Sequence, residues 1–227
     1  MKQILILVEG QTEEEFVKQV LNPYLNNYGK HLNPTIINTK IVKGGKNFKG
    51  GLDNYGQVKR DLVRLVKSNT LTVTTFIDFY ALPSDFPGYG DDVKVKSSLE
   101  RVLYLEQKLY EDIGQTNFVP YIQLHEFEAL LFISMQGFNY CFGNDISKIR
   151  DFEMILSQFP NPEDINDNPL TAPSKRILKI IPNYQKPFQG GMIALENGIG
   201  GVWCAPYLGP IVKLDNGLTL APYERQD

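Results

Sequence analysis

The sequence predicts an α/β protein with a mainly parallel sheet of about four strands, flanked by helices and followed by an irregular helical C-terminal part. Short apolar and β-branched runs alternate along the chain with longer segments whose apolar residues recur every three or four positions. The first run, ILILV at residues 4–8, is apolar throughout, as in a strand that is covered on both faces. Such alternation is typical of βαβ units, whose strands lie parallel.

Composition limits the classes of function. The chain has 227 residues, of which 42% are hydrophobic, enough for one core or for one core with a small subdomain. Its net charge of −3 argues against a mainly electrostatic nucleic-acid binder, so any such contact needs a local basic patch. Cys141 and Cys204 have neither metal-ligand nor disulfide-framework spacing. With no signal-peptide pattern and no apolar run of transmembrane length, we expect a soluble cytoplasmic protein.

The first elements are a strand, a helix and a second strand. Residues 4–8 predict the first strand, and residues 11–26 carry the apolar stripe of an amphipathic helix. Residues 35–42 are rich in β-branched side chains and predict the second strand. A loop rich in glycine and lysine follows at residues 44–51.

The middle of the chain continues the alternation. An apolar stripe at residues 58–66 predicts a helix, and the β-prone residues 71–79 predict a strand. Residues 99–110 then predict a helix, and residues 118–124 a fourth strand.

The pattern becomes less regular near residue 137. Residues 151–159 and 174–181 predict helices, whereas seven glycines and four prolines in residues 187–227 interrupt any periodicity. We therefore predict a catalytic core at residues 1–136 and a helical, glycine-rich extension at residues 137–227, packed on that core.

Acidic residues follow three of the predicted strands. Glu9 follows the first strand, Asp78 closes the third, and His125–Glu128 comes directly after the fourth. In parallel sheets, ligands gather at the carboxyl ends of the strands. We therefore expect these positions to meet at one edge of the sheet.

The acids after the first strand divide into two groups. Thr12-x-x-Glu15 has the spacing of a helix capping box, and Glu13 and Glu14 lie in the first turn, where the helix dipole favours negative charge. This explanation does not extend to Glu9, because an unpaired carboxylate at the end of a buried strand is costly. Glu9 is therefore either a functional group or the partner of a lysine or arginine.

Asp78 and Glu9 together suit a hard cation. Mg²⁺, or Mn²⁺ in its place, takes oxygen ligands and needs only one or two carboxylates when water and phosphate complete its shell. Of the aspartates in the loop after Asp78, Asp85 is the one we expect to join the site.

The HEFE stretch has two interpretations. It is not a zinc-protease motif, since Ala129 stands where the second histidine is required. If the strand continues, Glu126 and Glu128 lie on one side and His125 on the other. If a helix starts at Glu126, the two carboxylates diverge and serve as first-turn acids.

Basic residues are concentrated between residues 40 and 67, where eight lysines and arginines face two aspartates. Ser174 also has the position of a cap on a helix that carries two basic residues, a simple anion site. These side chains bind phosphates in one interpretation and form a solvated surface in the other. The candidates are Lys43, Lys46, Lys49, Arg60, Arg64, Lys175 and Arg176.

Four stretches resemble a family of small Toprim-like proteins, long catalogued as a domain of unknown function: VEGQTEEEF, TTFIDFYALPSDFPG, LHEFEALLF and INDNPLTAPSKRI. The family includes the nuclease effector of PARIS-type bacterial anti-phage systems, which works with an ABC-type ATPase. The resemblance covers roughly residues 1–187 and implies a Toprim-like fold. Toprim proteins bind Mg²⁺ with a Glu after the first strand and an Asp-x-Asp after a later one. Glu9 and Asp78 match this pattern, but Tyr80 replaces the second Asp.

The leading hypothesis is a Mg²⁺- or Mn²⁺-dependent nuclease acting on RNA or DNA. The resemblance implies anti-phage defence, with an ATPase partner that keeps the nuclease inactive. A second copy of the chain is a further candidate partner. We assign catalysis to Glu9, Glu13, Asp78 and His125, and metal binding to Glu9, Asp78, Glu126, Glu128 and Asp85.

The sequence also permits two other functions. A non-catalytic adaptor or sensor bound to a partner ATPase is favoured by the missing second Asp and by the net negative charge. A phosphatase with Asp78 as its nucleophile is disfavoured, because that chemistry also requires an Asp where Tyr80 stands.

Overall fold

Among the residues that the structure describes, the sheet consists of five parallel strands. The strands are β1 (Lys2–Val8), β2 (Lys30–Ile36), β3 (Thr72–Asp78), β4 (Phe118–Val119) and β5 (Ile122–Gln123). Their order is β2-β1-β3-β4, and β5 also pairs with β3. The computed structural model describes residues 1–38, 52–90, 97–159, 162, 165 and 171–199. The predicted α/β class, with a parallel sheet of four to five strands and a helical C-terminal part, is confirmed.

Helices fill most of the remaining described chain. Helix α1 continues through a π-helical segment into α2, and a second π-helical segment runs directly into α9. The helices are α1 (Gln11–Phe16), π segment (Val17–Leu21), α2 (Asn22–Asn26), α3 (Tyr55–Val66), α4 (Ser98–Ile113), α5 (Glu128–Leu131), α6 (Gln136–Phe142), α7 (Ile146–Gln158), α8 (Pro173–Ile180), π segment (Lys186–Gly190) and α9 (Gly191–Glu196). None of them, in the part of the chain that the structure describes, combines the length and apolarity needed to cross a bilayer.

The strand order creates a crevice between β1 and β3. The chain leaves β1 for β2 on one side and returns to β3 on the other, so the connections diverge at this point. In open parallel sheets, such a switch point forms the ligand-binding crevice at the carboxyl ends of the strands. Val8 lies opposite Phe76 in the register, which brings the end of β1 beside the end of β3.

Helices cover both faces of the sheet. Ile4, Ile6 and Val8 belong to one hydrophobic cluster, and Leu7 belongs to a second cluster that includes apolar residues of α3 and α4. The alternation along β1 explains its uninterrupted apolar sequence, since each face needs its own apolar side chains. The first cluster includes residues from both sides of position 137. The predicted domain division at that position stays a prediction.

The second strand begins earlier than predicted. It spans Lys30–Ile36 rather than residues 35–42, and residues 39–42 lie outside the described part. Pro34 and the polar residues around it hide the strand in the sequence, and proline is tolerated here because β2 lies at the edge of the path. The buried side chain of Asn22 accepts from Leu32 N at 2.8 Å and donates to Leu32 O at 2.9 Å.

The fourth predicted strand is divided in two. Pro120 has no N–H to donate, and β4 and β5 form on either side of it. Thr75 compensates from the neighbouring strand: its hydroxyl donates to Tyr121 O at 2.7 Å and accepts from Tyr121 N at 2.8 Å. The Glu106 carboxylate accepts from Ile122 N at 2.8 Å. Side chains thus satisfy backbone groups that the break would leave unpaired.

Replacing Thr75 with valine removes both bonds to Tyr121 while keeping the side-chain shape. We expect Thr75→Val to lower the free energy of unfolding by about 2–3 kcal/mol, because a buried N–H and C=O lose their partner. Thr74→Val is the matched control: both threonines are fully buried, and the Thr74 hydroxyl has no hydrogen-bond partner among the described residues. Urea unfolding of the three proteins measures the difference, and equal losses in both variants would contradict the bridging role.

Candidate active site at the carboxyl edge of the sheet

Four carboxylates and one lysine come together at the carboxyl edge of the sheet. Glu9 follows β1, Asp78 ends β3, Glu13 lies in the first turn of α1, and Glu128 begins α5. We call these four residues the acidic cluster. Lys186, at the start of the second π-helical segment, interacts electrostatically with Glu9, Asp78 and Glu128. The structure thus brings together acids from three of the predicted positions.

The position of Glu9 in the sequence does not decide between a functional role and pairing with a lysine or arginine. The pKa of Glu9 is raised to about 7, mainly by burial and then by repulsion from Glu13. A hydrogen bond from the Asp78 backbone and the charge of Lys186 act in the opposite direction. Glu9 thus interacts with a lysine and also lies among other acids; its functional role stays a prediction.

Asp78 is held among three carboxylates. Burial raises its pKa well above the usual range, followed by repulsion from Glu13, Glu9 and Glu128 in that order. Lys186 partly offsets this effect. A cation that entered between these carboxylates would therefore relieve repulsion that the fold itself creates.

The predicted capping box is wrong, whereas Glu13 lies in the first turn of α1 as predicted. Helix α1 begins after Gly10, which is its N-cap residue, and no side chain caps it. Glu15 instead accepts a hydrogen bond from Gln19 Nε2 at 2.8 Å. Glu13 folds back over Gly10, where a Cβ atom would lie only 3.3 Å from Glu13 Oε2. A side chain at position 10 would require the Glu13 carboxylate to shift by a few tenths of an ångström.

Glu126 and Glu128 both face Lys186. Lys186 Nζ lies 3.0 Å from Glu128 Oε1 and 3.5 Å from Glu126 Oε1. A helix does begin here, but at Glu128, so the two carboxylates converge on one cation instead of diverging. Glu128 has no exposed surface, whereas the Lys186 side chain is 38% exposed.

The charges of this group depend on one another. The pKa of Glu128 is raised to about 7, mainly because of burial, with Lys186 acting to lower it and Glu126 to raise it. Burial lowers the pKa of Lys186, but Glu128 and Glu126 outweigh burial, so its net shift is upward. Lys186 therefore stays protonated and is the counter-ion of this side of the site.

Glu126 also occupies the start of α8, where we predicted an anion site. Ser174 is not the cap: the N-cap is Ala172, and Ser174 N donates to Glu126 Oε2 at 3.0 Å. The chain's own carboxylate thus binds at this helix N-terminus. Lys175 is exposed, whereas Arg176 donates from Nε to Thr171 O at 2.9 Å.

The other predicted phosphate-binding residues lie apart from this group or outside the described chain. Arg60 Nε and Arg64 Nη1 lie 3.2 and 3.5 Å from the same atom, Oδ1 of the buried Asp61. Arg60 also donates to Asn38 O at 2.7 Å. One aspartate thus balances part of the predicted basic patch. Lys43, Lys46 and Lys49 lie outside the described residues.

His125 and Asp85 have contacts of their own. The rings of His125 and Tyr80 stack, with centroids 5.7 Å apart and planes 14° from parallel. His125 is only 1% exposed. Asp85 Oδ1 accepts from Tyr55 N at 2.9 Å, which ties Asp85 to the first residue of α3.

The donor set of the acidic cluster fits a hydrated Mg²⁺ or Mn²⁺. Among the described residues, no three or more His, Cys, Asp or Glu side chains form a ready-made metal site. Mg²⁺ requires no such cage, since one or two carboxylates suffice when water and phosphate supply the other oxygens. Glu9 and Asp78 suit this role, with Glu13 beside them, whereas Glu128 is already bound to Lys186.

The family described as "Domain of unknown function (DUF4276)" matches residues 8–207 of the chain. The chain belongs to the DUF4276 family. The matched region contains the whole acidic cluster and Lys186. No curated protein matches the chain, and no solved structure matches it.

Sequence reasoning missed two residues of this DUF4276 site. Lys186 is a single lysine before the irregular region and belongs to no motif. The one signal for it in the sequence is the excess of acids at the predicted sheet edge, which requires a cation. Tyr184 is buried, and its hydroxyl has no hydrogen-bond partner among the described residues. Burial, and then Glu128 and Glu126, raise the Tyr184 pKa, so the hydroxyl stays neutral. Gly190 is required beside it, since a Cβ there would lie 2.6 Å from that hydroxyl.

Lys186→Met tests the counter-ion. The raised pKa of Glu128 favours folding when Glu128 is protonated, and this contribution is lost as the pH rises from about 4.5 through about 7. Without Lys186 the loss becomes larger above pH 7. At pH 8 we expect Lys186→Met to lower the free energy of unfolding by about 2 kcal/mol. This is below the roughly 3–5 kcal/mol lost when a fully buried ion pair is broken, because Lys186 is partly exposed. At pH 5 we expect a smaller loss.

Urea unfolding in EDTA at both pH values measures this effect. Lys108→Met is the control, since Lys108 pairs with Glu111 at 2.7 Å on the exposed surface and its loss should change stability little. A Lys186→Met loss that is the same at pH 5 and pH 8 would show that packing, rather than charge, explains it.

Proposed function

We propose that this DUF4276 protein is a divalent-cation-dependent nuclease that cuts RNA or DNA in the bacterial cytoplasm. The observation that carries the proposal is the convergence of Glu9, Glu13 and Asp78 at the crevice between β1 and β3. A protein does not gain stability by burying acids that repel one another, so their grouping favours a ligand that neutralises them.

Each residue has a role that follows from its surroundings. Glu9 and Asp78 would hold Mg²⁺ or Mn²⁺, which supplies Lewis-acid polarisation of a phosphoryl oxygen and an activated water. Glu13 is the group we assign to proton transfer, because it is only half-buried and borders both carboxylates. His125 suits this role less well, since it is buried behind the ring of Tyr80.

The biological setting comes from the resemblance of four sequence stretches to Toprim-like nucleases. It supports a Toprim-like fold, a role in anti-phage defence and an ABC-type ATPase partner. A second copy of the chain is a further candidate partner. Phosphate contacts are assigned to Lys175, which is exposed, and, from the sequence, to Lys43, Lys46 and Lys49, which lie outside the described residues.

A non-catalytic adaptor bound to an ATPase is the second candidate. Two observations favour it: Tyr80 stands in place of the second Asp, and no ready-made metal cage exists among the described residues. In that case Lys186 and its two carboxylates would serve to hold the C-terminal part in place.

A cleavage assay separates the two candidates. Purified protein, with and without a candidate ATPase, is incubated with tRNA and plasmid DNA in Mg²⁺ or Mn²⁺. We expect cleavage, and a loss on the order of 100-fold or more in Glu9→Gln and Asp78→Asn, because each removes a metal ligand. Glu15→Gln, whose carboxylate bonds Gln19 instead, is the control that keeps activity. Cleavage that survives Asp78→Asn would overturn the assignment of the site. If no cleavage occurs with either substrate, with either metal ion, or with the ATPase present, the adaptor is favoured.

Thermal unfolding tests metal binding without requiring activity. At 100 times its Kd, Mg²⁺ should stabilise the chain by about 2.7 kcal/mol, a Tm increase of roughly 5–10 °C for a protein of this size. Asp78→Asn should abolish this increase, and in EDTA at pH 8 it should itself be more stable than wild type because repulsion is removed. An equal Mg²⁺ response in both proteins would place the ion elsewhere.

A further inference from the structure

An exposed aromatic ring is fixed beside the acidic cluster. Tyr80 lies two residues after Asp78, in the short 3₁₀ turn Phe79–Ala81, and it is 46% exposed. It stacks on the buried His125 and meets Phe79 edge-on, with centroids 5.4 Å apart at 70°. Two aromatic neighbours therefore set the orientation of a ring that still faces solvent.

The stack joins two strand ends at the same edge of the sheet. His125 follows β5, in which Gln123 lies opposite Asp78 in the parallel register. Tyr80 follows β3, two residues after that same aspartate. The ring therefore lies at the same strand end as the carboxylate that we assign to the metal.

We propose that Tyr80 is a stacking platform for a nucleobase, so that the site takes unpaired, single-stranded RNA or DNA. This inference rests on the proposed nuclease function and names its substrate class. Nucleobases stack on aromatic side chains with little sequence preference, because every base has a flat π-face. A base on Tyr80 would bring its own backbone phosphate next to Asp78.

The charges of the molecule favour the same conclusion. With a net charge of −3 and a cluster of acids at the site, charge attraction alone does not hold a polyanion there. Stacking supplies affinity that does not depend on charge. The His125 contact lowers the entropy cost, because the Tyr80 ring is oriented before the base arrives. Bases inside a duplex are stacked on each other and cannot cover this ring without leaving the helix.

Binding can be measured apart from cleavage. Fluorescence anisotropy follows labelled 12-nucleotide single strands, the same strands with abasic sites, and a matching duplex, all in Ca²⁺, which takes the same oxygen ligands as Mg²⁺. The probes are checked for integrity on a gel after each titration. The variants are Tyr80→Ala, Tyr80→Phe and the control Tyr140→Ala, which removes a 63% exposed tyrosine on α6.

We expect Tyr80→Ala to weaken single-strand binding by about 5- to 150-fold, the range of a lost base stack. Tyr80→Phe should keep the affinity, because it keeps the ring, and Tyr140→Ala should match wild type. The abasic strand should bind wild type and Tyr80→Ala equally weakly. If Tyr80→Ala folds poorly, the stacking proposal is still tested by comparing the affinity of the wild-type protein for the abasic strand with its affinity for the intact strand.

The platform and the nuclease can fail separately. If the chain cuts nucleic acid in Mg²⁺ but Tyr80→Ala binds single strands as wild type does, the platform is overturned and the nuclease stands. If wild type prefers the duplex, or binds abasic and intact single strands equally well, the platform is likewise overturned and the nuclease stands. If binding depends on Tyr80 but nothing is cut, the nuclease fails and the platform stands. If wild type binds none of the probes and cuts nothing, both the platform and the nuclease are overturned.

Discussion

Repulsion among buried carboxylates, opposed by Lys186, is the constraint on which the candidate site depends. Glu9, Asp78 and Glu128 all have raised pKa values because the fold removes them from water and places them near other acids. Lys186 offsets this for all three and makes its shortest contact with Glu128. Because Lys186 lies closest to Glu128, the repulsion around Glu9 and Asp78 is offset less. A metal ion at the proposed site would reduce this repulsion.

The site combines two kinds of acid at one edge. Glu126 and Glu128 make structural contacts: they bind Lys186, and Glu126 also binds the first turn of α8. Glu9 and Asp78, with Glu13 beside them, are the acids to which we assign the proposed chemistry. This division shows that a run of acids in a sequence does not by itself separate structural carboxylates from candidate metal ligands.

The sequence was sufficient for the α/β class, the buried strands and the meeting of Glu9 and Asp78 at one edge. These follow from local periodicity and from the topology of parallel sheets, which do not require knowledge of contacts. It was not sufficient for Lys186, because nothing local marks a lysine that pairs with acids far away in sequence. The capping-box and Ser174 predictions failed for a related reason: Gly10 starts α1 without a side-chain cap, and Glu126 reaches the start of α8 from a distant segment.

The ion pair between Lys186 and Glu126 joins residues that are 60 positions apart. During synthesis, the strands and their acids leave the ribosome well before this lysine does, so the nascent chain carries its acidic edge without its counter-ion. Closing such a long loop costs entropy before the contact can form. We therefore expect the site to assemble late in folding, when the C-terminal segment that carries Lys186 docks.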